Sequence, residues 1–379
     1  MLVLYRKYRP QKFSEVVGQE ETVKILKNEI KQDKLAHAYL FAGPRGVGKT
    51  TLARILAKTV NCANRKKEET EPCNKCLSCQ EISGGKSFDL IEIDAASNRG
   101  INEIRELKER IRFLPTMSRY KVFIIDECQM LTPEAFNALL KTLEEPPSYA
   151  IFILATTQVY KLPETIISRC QNFNFTKISL DKIVKYLREI AKKENIKISE
   201  KVLKTVAYRS EGCVRDALSL LGQIFALKGE EIMPREITLE EAELVIPPAQ
   251  LNLVIKFFDC LIKKEKGAAI ESINKLLSEG GDLEQFITDL IDFLRKVLLE
   301  KVGVLDETYK VQLDEESNKN LTKLAEAVDF KELVGIIERF IKVKTGFEYS
   351  EIPQLPVELA ILEACEGLSS PPFDRKKGI

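Results

Sequence analysis

The 379-residue sequence contains no tryptophan and one histidine, and its charges nearly cancel: 58 Lys and Arg against 57 Asp and Glu, for a net +1. A near-neutral chain argues neither for nor against a nucleic-acid partner, so any basic surface has to be local. No run of about 18 uncharged apolar residues occurs, which excludes a membrane-spanning helix. The opening Met1-Leu2-Val3-Leu4-Tyr5 is too short for the core of a secretory leader and leads into Arg6, Lys7 and Arg9. A cytoplasmic chain is expected, with no membrane contact. In that compartment a disulfide framework is not the reading of its nine cysteines, and metal binding is the first expectation for any cluster. Internal repeats and low-complexity stretches are also absent. With 44% hydrophobic and 30% charged residues, a disordered chain is excluded and two or three domains are expected. The single histidine, His37, precedes the first core strand and is read as structural.

What is present begins with apolar runs. Residues 38–42, 88–93, 122–125 and 151–154 are short and nearly continuous in apolar character, as strands buried on both faces of a parallel sheet require. Amphipathic helical stretches between them predict an α/β domain over residues 1–178. Past Phe175 the pattern turns helical. Residues 179–194, 199–211 and 214–228 predict three helices, broken at Gly212 and Gly229, which form a small domain over 179–243. Pro247-Pro248 punctuates the chain. A further helical domain is expected over 244–368, broken at Gly280-Gly281 and Gly303, with residues 369–379 as a tail.

Gly43-Pro44-Arg45-Gly46-Val47-Gly48-Lys49-Thr50 fits G-x-x-x-x-G-K-[ST] in full, after a predicted strand and before a predicted helix over 51–59. Glycines let backbone N–H groups approach phosphates, and a helix N-terminus adds a favourable dipole. Lys49 would reach the β and γ phosphates of ATP and Thr50 would ligate Mg²⁺, with Thr51 following in the helix. The run 122–125 ends in Asp126-Glu127, at the crevice where parallel sheets bind ligands. Asp126 would hold Mg²⁺, and Glu127 would polarise an attacking water. Taken alone, two acids after a strand are also a chance pairing. The neighbouring strand ends in Thr156-Thr157, either of which could touch the γ-phosphate or the water.

Cys62, Cys73, Cys76 and Cys79 form C-x10-C-x2-C-x2-C. Four thiolates satisfy a closed tetrahedral zinc site, which reads as structural. The polar residues around them lack a core, so metal could supply the folding energy. An iron–sulfur cluster uses the same ligand type, and free thiols or a redox pair are the plain alternative. Cys128, Cys170, Cys213, Cys260 and Cys365 are scattered and expected to pack.

The order of phosphate loop, four-cysteine insertion, Asp126-Glu127, Leu140-Lys141-Thr142-Leu143-Glu144-Glu145-Pro146-Pro147 and Ser168-Arg169-Cys170 resembles the γ/τ subunits of the bacterial DNA polymerase III clamp loader, a family of AAA+ ATPases. Tyr8-Arg9-Pro10, Val17-Gly18-Gln19 and Gly212-Cys213-Val214-Arg215-Asp216-Ala217-Leu218 are similar too, so the resemblance covers nearly the whole chain. It implies a RecA-like AAA+ sheet with a zinc-binding insertion, a helical lid domain and an all-helical collar for oligomerisation. It implies that Arg169 is an arginine finger serving a neighbouring subunit, that Arg215 in the lid reads the γ-phosphate in cis, and that Thr157 rather than Thr156 is the strand-end sensor. Tyr8, Arg9, Val17 and Gly18 resemble the adenine-side contacts. Arg99 and Arg105 fall where the family places primer–template DNA, where phosphate contacts are expected; an arginine on a solvated helix face is the plain alternative.

The activity so implied is ATP hydrolysis coupled to loading a sliding clamp. The implied partners are δ, δ′, further γ/τ copies, the β clamp, primer–template DNA and, through the holoenzyme, the replicative polymerase. Longer members continue into polymerase- and helicase-binding segments; this sequence ends before them, as a short form or a piece of a longer chain would. Two other functions share the ATP site: a DNA motor of the branch-migration type, and a scaffold that binds ATP to hold an assembly.

Overall fold

The computed structural model of the chain describes residues 3–66, 68–98, 100–227, 237–242, 244–245, 251–278, 280–304, 315–346, 352 and 354–366. The expected breaks at Gly229 and Pro247-Pro248 and the tail over 369–379 lie outside the described residues. The chain divides into two compact units, Met1–Ile246 and Pro247–Ile379. Among the described residues no helix is long and apolar enough to cross a membrane.

The first unit opens with α1 (Leu4–Lys7) and α2 (Glu20–Gln32), then alternates strand and helix through β1 (Ala38–Ala42), α3 (Lys49–Val60), α4 (Leu77–Gly84), β2 (Leu90–Asp94), α5 (Ile101–Ile111), β3 (Lys121–Asp126), α6 (Pro133–Glu144), β4 (Ala150–Thr156), α7 (Glu164–Ile167) and β5 (Gln171–Asn174). The five strands form one parallel sheet in the order β2-β3-β4-β1-β5, a RecA-like AAA+ core. Successive side chains point to opposite faces. Tyr39, Phe41, Val122, Ile124, Ile151 and Ile153 face Leu26 and Ile30 of α2 and Leu52 and Leu56 of α3. Leu40, Phe123, Ile125, Phe152 and Leu154 face Leu107 of α5 and Phe136, Leu139 and Leu143 of α6. Both faces are covered, so β1, β3 and β4 are buried almost throughout. His37 keeps an exposed side chain, while its carbonyl accepts the Phe152 N–H at 2.8 Å and extends the ladder.

The two outer strands depart from the expectation. Phe88 and Asp89 precede β2 instead of beginning it. Phe88 is 82% exposed, and the Asp89 carboxylate accepts the N–H groups of Thr116, Met117 and Ser118 at 2.7, 3.0 and 2.9 Å. β5 has the sequence Gln-Asn-Phe-Asn, with one buried residue, Phe173. An edge strand with a single covered face needs no apolar run, so that signal misses it.

The remainder of the unit is α8 (Leu180–Lys193), α9 (Glu200–Arg209), α10 (Val214–Ala226) and the short α11 (Leu239–Ala242). Ile183, Leu187, Val206, Leu221 and Ile224 share one core, which Leu4 of α1 also enters. α9 stops at Arg209, two residues before the expected end, because Glu211 and Gly212 take left-handed conformations (φ 48° and 86°).

The second unit is helical: α12 (Leu251–Ile262), α13 (Lys266–Ser278), α14 (Leu283–Val302), α15 (Glu315–Ala327), α16 (Phe330–Gly346) and α17 (Leu355–Glu366). Phe257, Phe286 and Phe340 meet edge-on at its centre. Asp282 caps α14 by accepting the N–H groups of Glu284 and Gln285, and Gly303 ends it at φ 77°.

Candidate nucleotide site and cysteine cluster

β1 delivers the chain into the glycine loop at the C-terminal edge of the sheet, and Gly48 caps α3, whose first residue is Lys49. Two glycines are required by their surroundings. A Cβ on Gly43 (φ 147°) would stand 2.2 Å from the Phe175 carbonyl oxygen, and one on Gly46 (φ 73°) would stand 2.0 Å from Cys213 Sγ. The loop is thereby held against both β5's exit and the start of α10.

Lys49 is 5% exposed, and its ammonium donates to the carbonyls of Gly43 and Pro44 at 2.7 Å each. Burial lowers its pKa, opposed by the carboxylates of Glu127 and Asp126. The Thr50 hydroxyl donates to Asp126 Oδ2 at 2.7 Å, so the end of β3 and the start of α3 meet through hard oxygen donors. That donor set suits Mg²⁺.

Glu127 leaves β3 in the left-handed region (φ 48°, ψ 43°). A non-glycine residue held there costs about 1–3 kcal/mol, a strain commonly found at functional sites. Its Oε2 accepts from the Thr157 hydroxyl at 3.1 Å and from Gln129 Nε2 at 2.6 Å. Gln129 was not among the expected residues; it lies in a 3-10 turn, Cys128–Met130, where no spacing rule marks it.

A cavity of about 640 Å³ opens over the loop. Its lining brings together Tyr8, Arg9, Val17, Arg45, Gly46, Val47, Gly48, Lys49, Thr50, Thr51, Asp126, Glu127 and Arg215. Gly43 and Pro44 join through the carbonyls that hold Lys49. Gly18 stands behind the lining, against Ile178. Tyr5, Arg6, Arg54, Lys58 and Tyr186 also line it and were not anticipated. Cations outnumber the two carboxylates, as a polyanionic ligand requires. Arg9 donates to the Thr51 hydroxyl at 3.2 Å, and burial together with the nearby Arg54 charge pulls its pKa down to about 10. Arg215 lies over the Tyr5 ring, 5.0 Å from its centroid, and its hydrogen bonding is the main reason the Tyr5 phenol is lowered.

Arg169 lies elsewhere. It pairs with Glu144 and donates to the Thr165 carbonyl at 2.7 Å, outside the lining of this cavity. Arg99 lies outside the described residues. Arg105 belongs to α5, and its side chain likewise lies outside them.

The four cysteine sulfurs lie within 4.8 Å of one another. Cys62 follows α3, Cys76 caps α4 and Cys79 sits on it. Cys73 N–H donates to Cys62 Sγ at 3.3 Å, and the N–H groups of Lys75 and Cys76 donate to Cys73 Sγ at 3.4 and 3.3 Å. Against a burial penalty, those two donors pull the Cys73 thiol down to about 6; burial pushes Cys62 and Cys79 up. Four converging sulfurs with N–H donors aimed at them fit a tetrahedral thiolate-bound zinc.

Three family descriptions match successive segments: "DNA polymerase III, delta subunit" over residues 18–179, "DNA polymerase III clamp loader subunit, ATPase lid domain" over 182–229, and "DNA polymerase III subunits gamma and tau domain III" over 237–376. The chain is 42% identical over 368 residues to DNA polymerase III subunit tau of Bacillus subtilis, covering 96% of this chain and 63% of that one. It is 40% identical over 316 residues to subunit gamma/tau of Mycoplasma genitalium, covering 82% and 52%. It is 39% identical over 324 residues to subunit gamma of Buchnera aphidicola from Acyrthosiphon pisum, covering 84% and 88%. The chain thus spans about half to three-fifths of the first two relatives and most of the third.

Proposed function

The chain belongs to the DNA polymerase III gamma/tau family, and we propose that it is the ATP-hydrolysing subunit of a clamp loader. In this reading it acts with δ and δ′ to open the ring-shaped β clamp and leave it closed on primed DNA for the replicative polymerase. One arrangement carries the hydrolytic part: Thr50 donating to Asp126 at 2.7 Å, with Glu127 beside it, at the mouth of the glycine loop.

Lys49 exchanges the Gly43 and Pro44 carbonyls for β and γ phosphate oxygens. Thr50 and Asp126 hold Mg²⁺, which when bound neutralises charge on the phosphate oxygens. Glu127 accepts a proton from the attacking water, and Thr157 senses the γ-phosphate beside it. Tyr8, Arg9, Val17 and Gly18 take the adenine side. Arg215 reaches the γ-phosphate from the lid, so lid position follows nucleotide state. Arg169, outside its own cavity, serves the site of a neighbouring copy. The cysteines hold a structural zinc, the second unit forms the collar, and Arg99 and Arg105 contact DNA phosphates.

ATP binding at several such interfaces favours an assembly that holds the clamp open, and primer–template binding completes the interfaces and licenses hydrolysis. Removal of the γ-phosphate contacts then lets the clamp close. The test is ATP turnover by the chain alone and then with δ, δ′, clamp and primed DNA added. Strong stimulation by the full set is expected. High turnover by the chain alone, or stimulation by any duplex without δ, δ′ and clamp, overturns the loading mechanism in favour of a DNA motor.

A further inference from the structure

We infer that Gln129 is the positioning residue for the Glu127 carboxylate, an inference that rests on the hydrolytic role given to Glu127 above. The geometry permits one consistent arrangement of hydrogens. The Thr156 hydroxyl, on a fully buried residue, accepts the Gln158 N–H at 3.0 Å. Its own proton is left to donate to Gln129 Oε1 at 2.7 Å. The carboxylate fixes the amide, because Oε1 turned toward Glu127 Oε2 would set two acceptors 2.6 Å apart: Nε2 faces away from Thr156, with one proton for Glu127 Oε2 at 2.6 Å and one for Thr157 Oγ1 at 3.0 Å. Thr157 spends its own proton on the same carboxylate oxygen at 3.1 Å. Every donor in the cluster has an acceptor, and an ionised carboxylate only accepts.

The amide therefore ties the end of β4 to the residue after β3. Cys128, fully buried beside it, anchors the turn from which Gln129 reaches across. Glu127 emerges in a left-handed backbone conformation, so its side chain is aimed by the turn and then pinned by Gln129 and Thr157. A shorter side chain cannot span this gap, and an acidic one would place two carboxylates in contact. Gln129 is not itself part of the cavity lining, and reaches it through its bond to Glu127; it acts through Glu127.

The test is a double-mutant cycle on ATP turnover in the assembly with δ, δ′, clamp and primed DNA, read by single-turnover kinetics alongside ATP affinity. Glu127→Gln is expected to slow hydrolysis by about 10²–10⁴-fold, the usual contribution of a positioned base. Gln129→Ala should slow it on the order of 10- to 100-fold, as misplacement of a catalytic group by about 1 Å does. ATP affinity should stay within about twofold, as for an interaction made only in the transition state. Gln129→Glu keeps the size and the shape, and should lose as much as Gln129→Ala. In the Glu127→Gln background the same changes at 129 should matter by less than about twofold, because residues acting as a unit are not additive. Losses that multiply, or a Gln129→Ala protein that turns over at or above the parent rate, overturn the positioning role while leaving Glu127's role intact. Parental turnover by Glu127→Gln instead removes the hydrolytic reading, and the inference with it.

Discussion

Gly46 offers a sharp test of how the phosphate loop is held. Its φ is 73°, and an added Cβ would stand 2.0 Å from Cys213 Sγ, 3.3 Å from Arg215 Cβ and 3.5 Å from Cys213 Cβ. Gly46→Ala carries two separate costs. The left-handed backbone disfavours any L-residue by about 1–2 kcal/mol. The overlap with a buried sulfur adds about 1–3 kcal/mol, the usual range for overpacking. Together the loss is about 2–5 kcal/mol. Cys213→Ala removes the sulfur and leaves the two Cβ atoms at ordinary contact. The double variant should therefore recover the overlap and sit only about 1–2 kcal/mol below Cys213→Ala. The assay is urea denaturation followed by helical circular dichroism, with binding of a non-hydrolysed ATP analogue measured in parallel. Affinity should fall in Gly46→Ala and recover in the double variant, because Cys213 begins the helix that carries Arg215. If the two changes add within about 0.5 kcal/mol, the sulfur contact is not what excludes a side chain at 46, and the argument is refuted.

Three further outcomes are expected. Lys49→Ala should abolish measurable ATP binding with little change in melting temperature, since the group it removes is a cation buried beside the site; normal affinity by calorimetry contradicts its assignment. Purified protein should carry about one zinc per chain, and Cys79→Ser should lose it and expose the 62–79 segment to limited proteolysis; metal analysis without zinc counts against the site. Asp89→Ala should cost about 2–3 kcal/mol, because three loop N–H groups lose a charged acceptor. Burial opposes ionisation of Asp89, but those donors outweigh it and hold its pKa below the ordinary value. Its contribution is therefore complete above the unfolded carboxyl's value of about 3.9 and is lost as pH falls through the lower folded value. An equal acid sensitivity below about pH 4 in the parent and the variant contradicts this.

What the sequence reveals depends on whether one segment contains the whole cause. The central strands β1, β3 and β4 announce themselves because both of their faces are covered, and a run of apolar residues is the direct record of that burial. β2 shows in the run 88–93 with its start set two residues early, and β5 does not show at all, since an edge strand shares its ladder with one neighbour and its polar residues with solvent. The glycine loop and the four cysteines are likewise local, each packing its chemistry into a few residues of fixed spacing. Gln129 belongs to the opposite class. Nothing within its turn distinguishes it; its meaning comes from Thr156 and Thr157, 27 and 28 residues on, brought within reach only because β3 and β4 lie side by side. Leu4 is the same case at longer range, an N-terminal residue that completes the core of α8, α9 and α10 nearly two hundred residues later. A local motif thus identifies the groups that touch a ligand, while the residues that aim those groups are set by strand order. Sheet neighbours of any strand-end carboxylate are accordingly the place to look for its positioning partner.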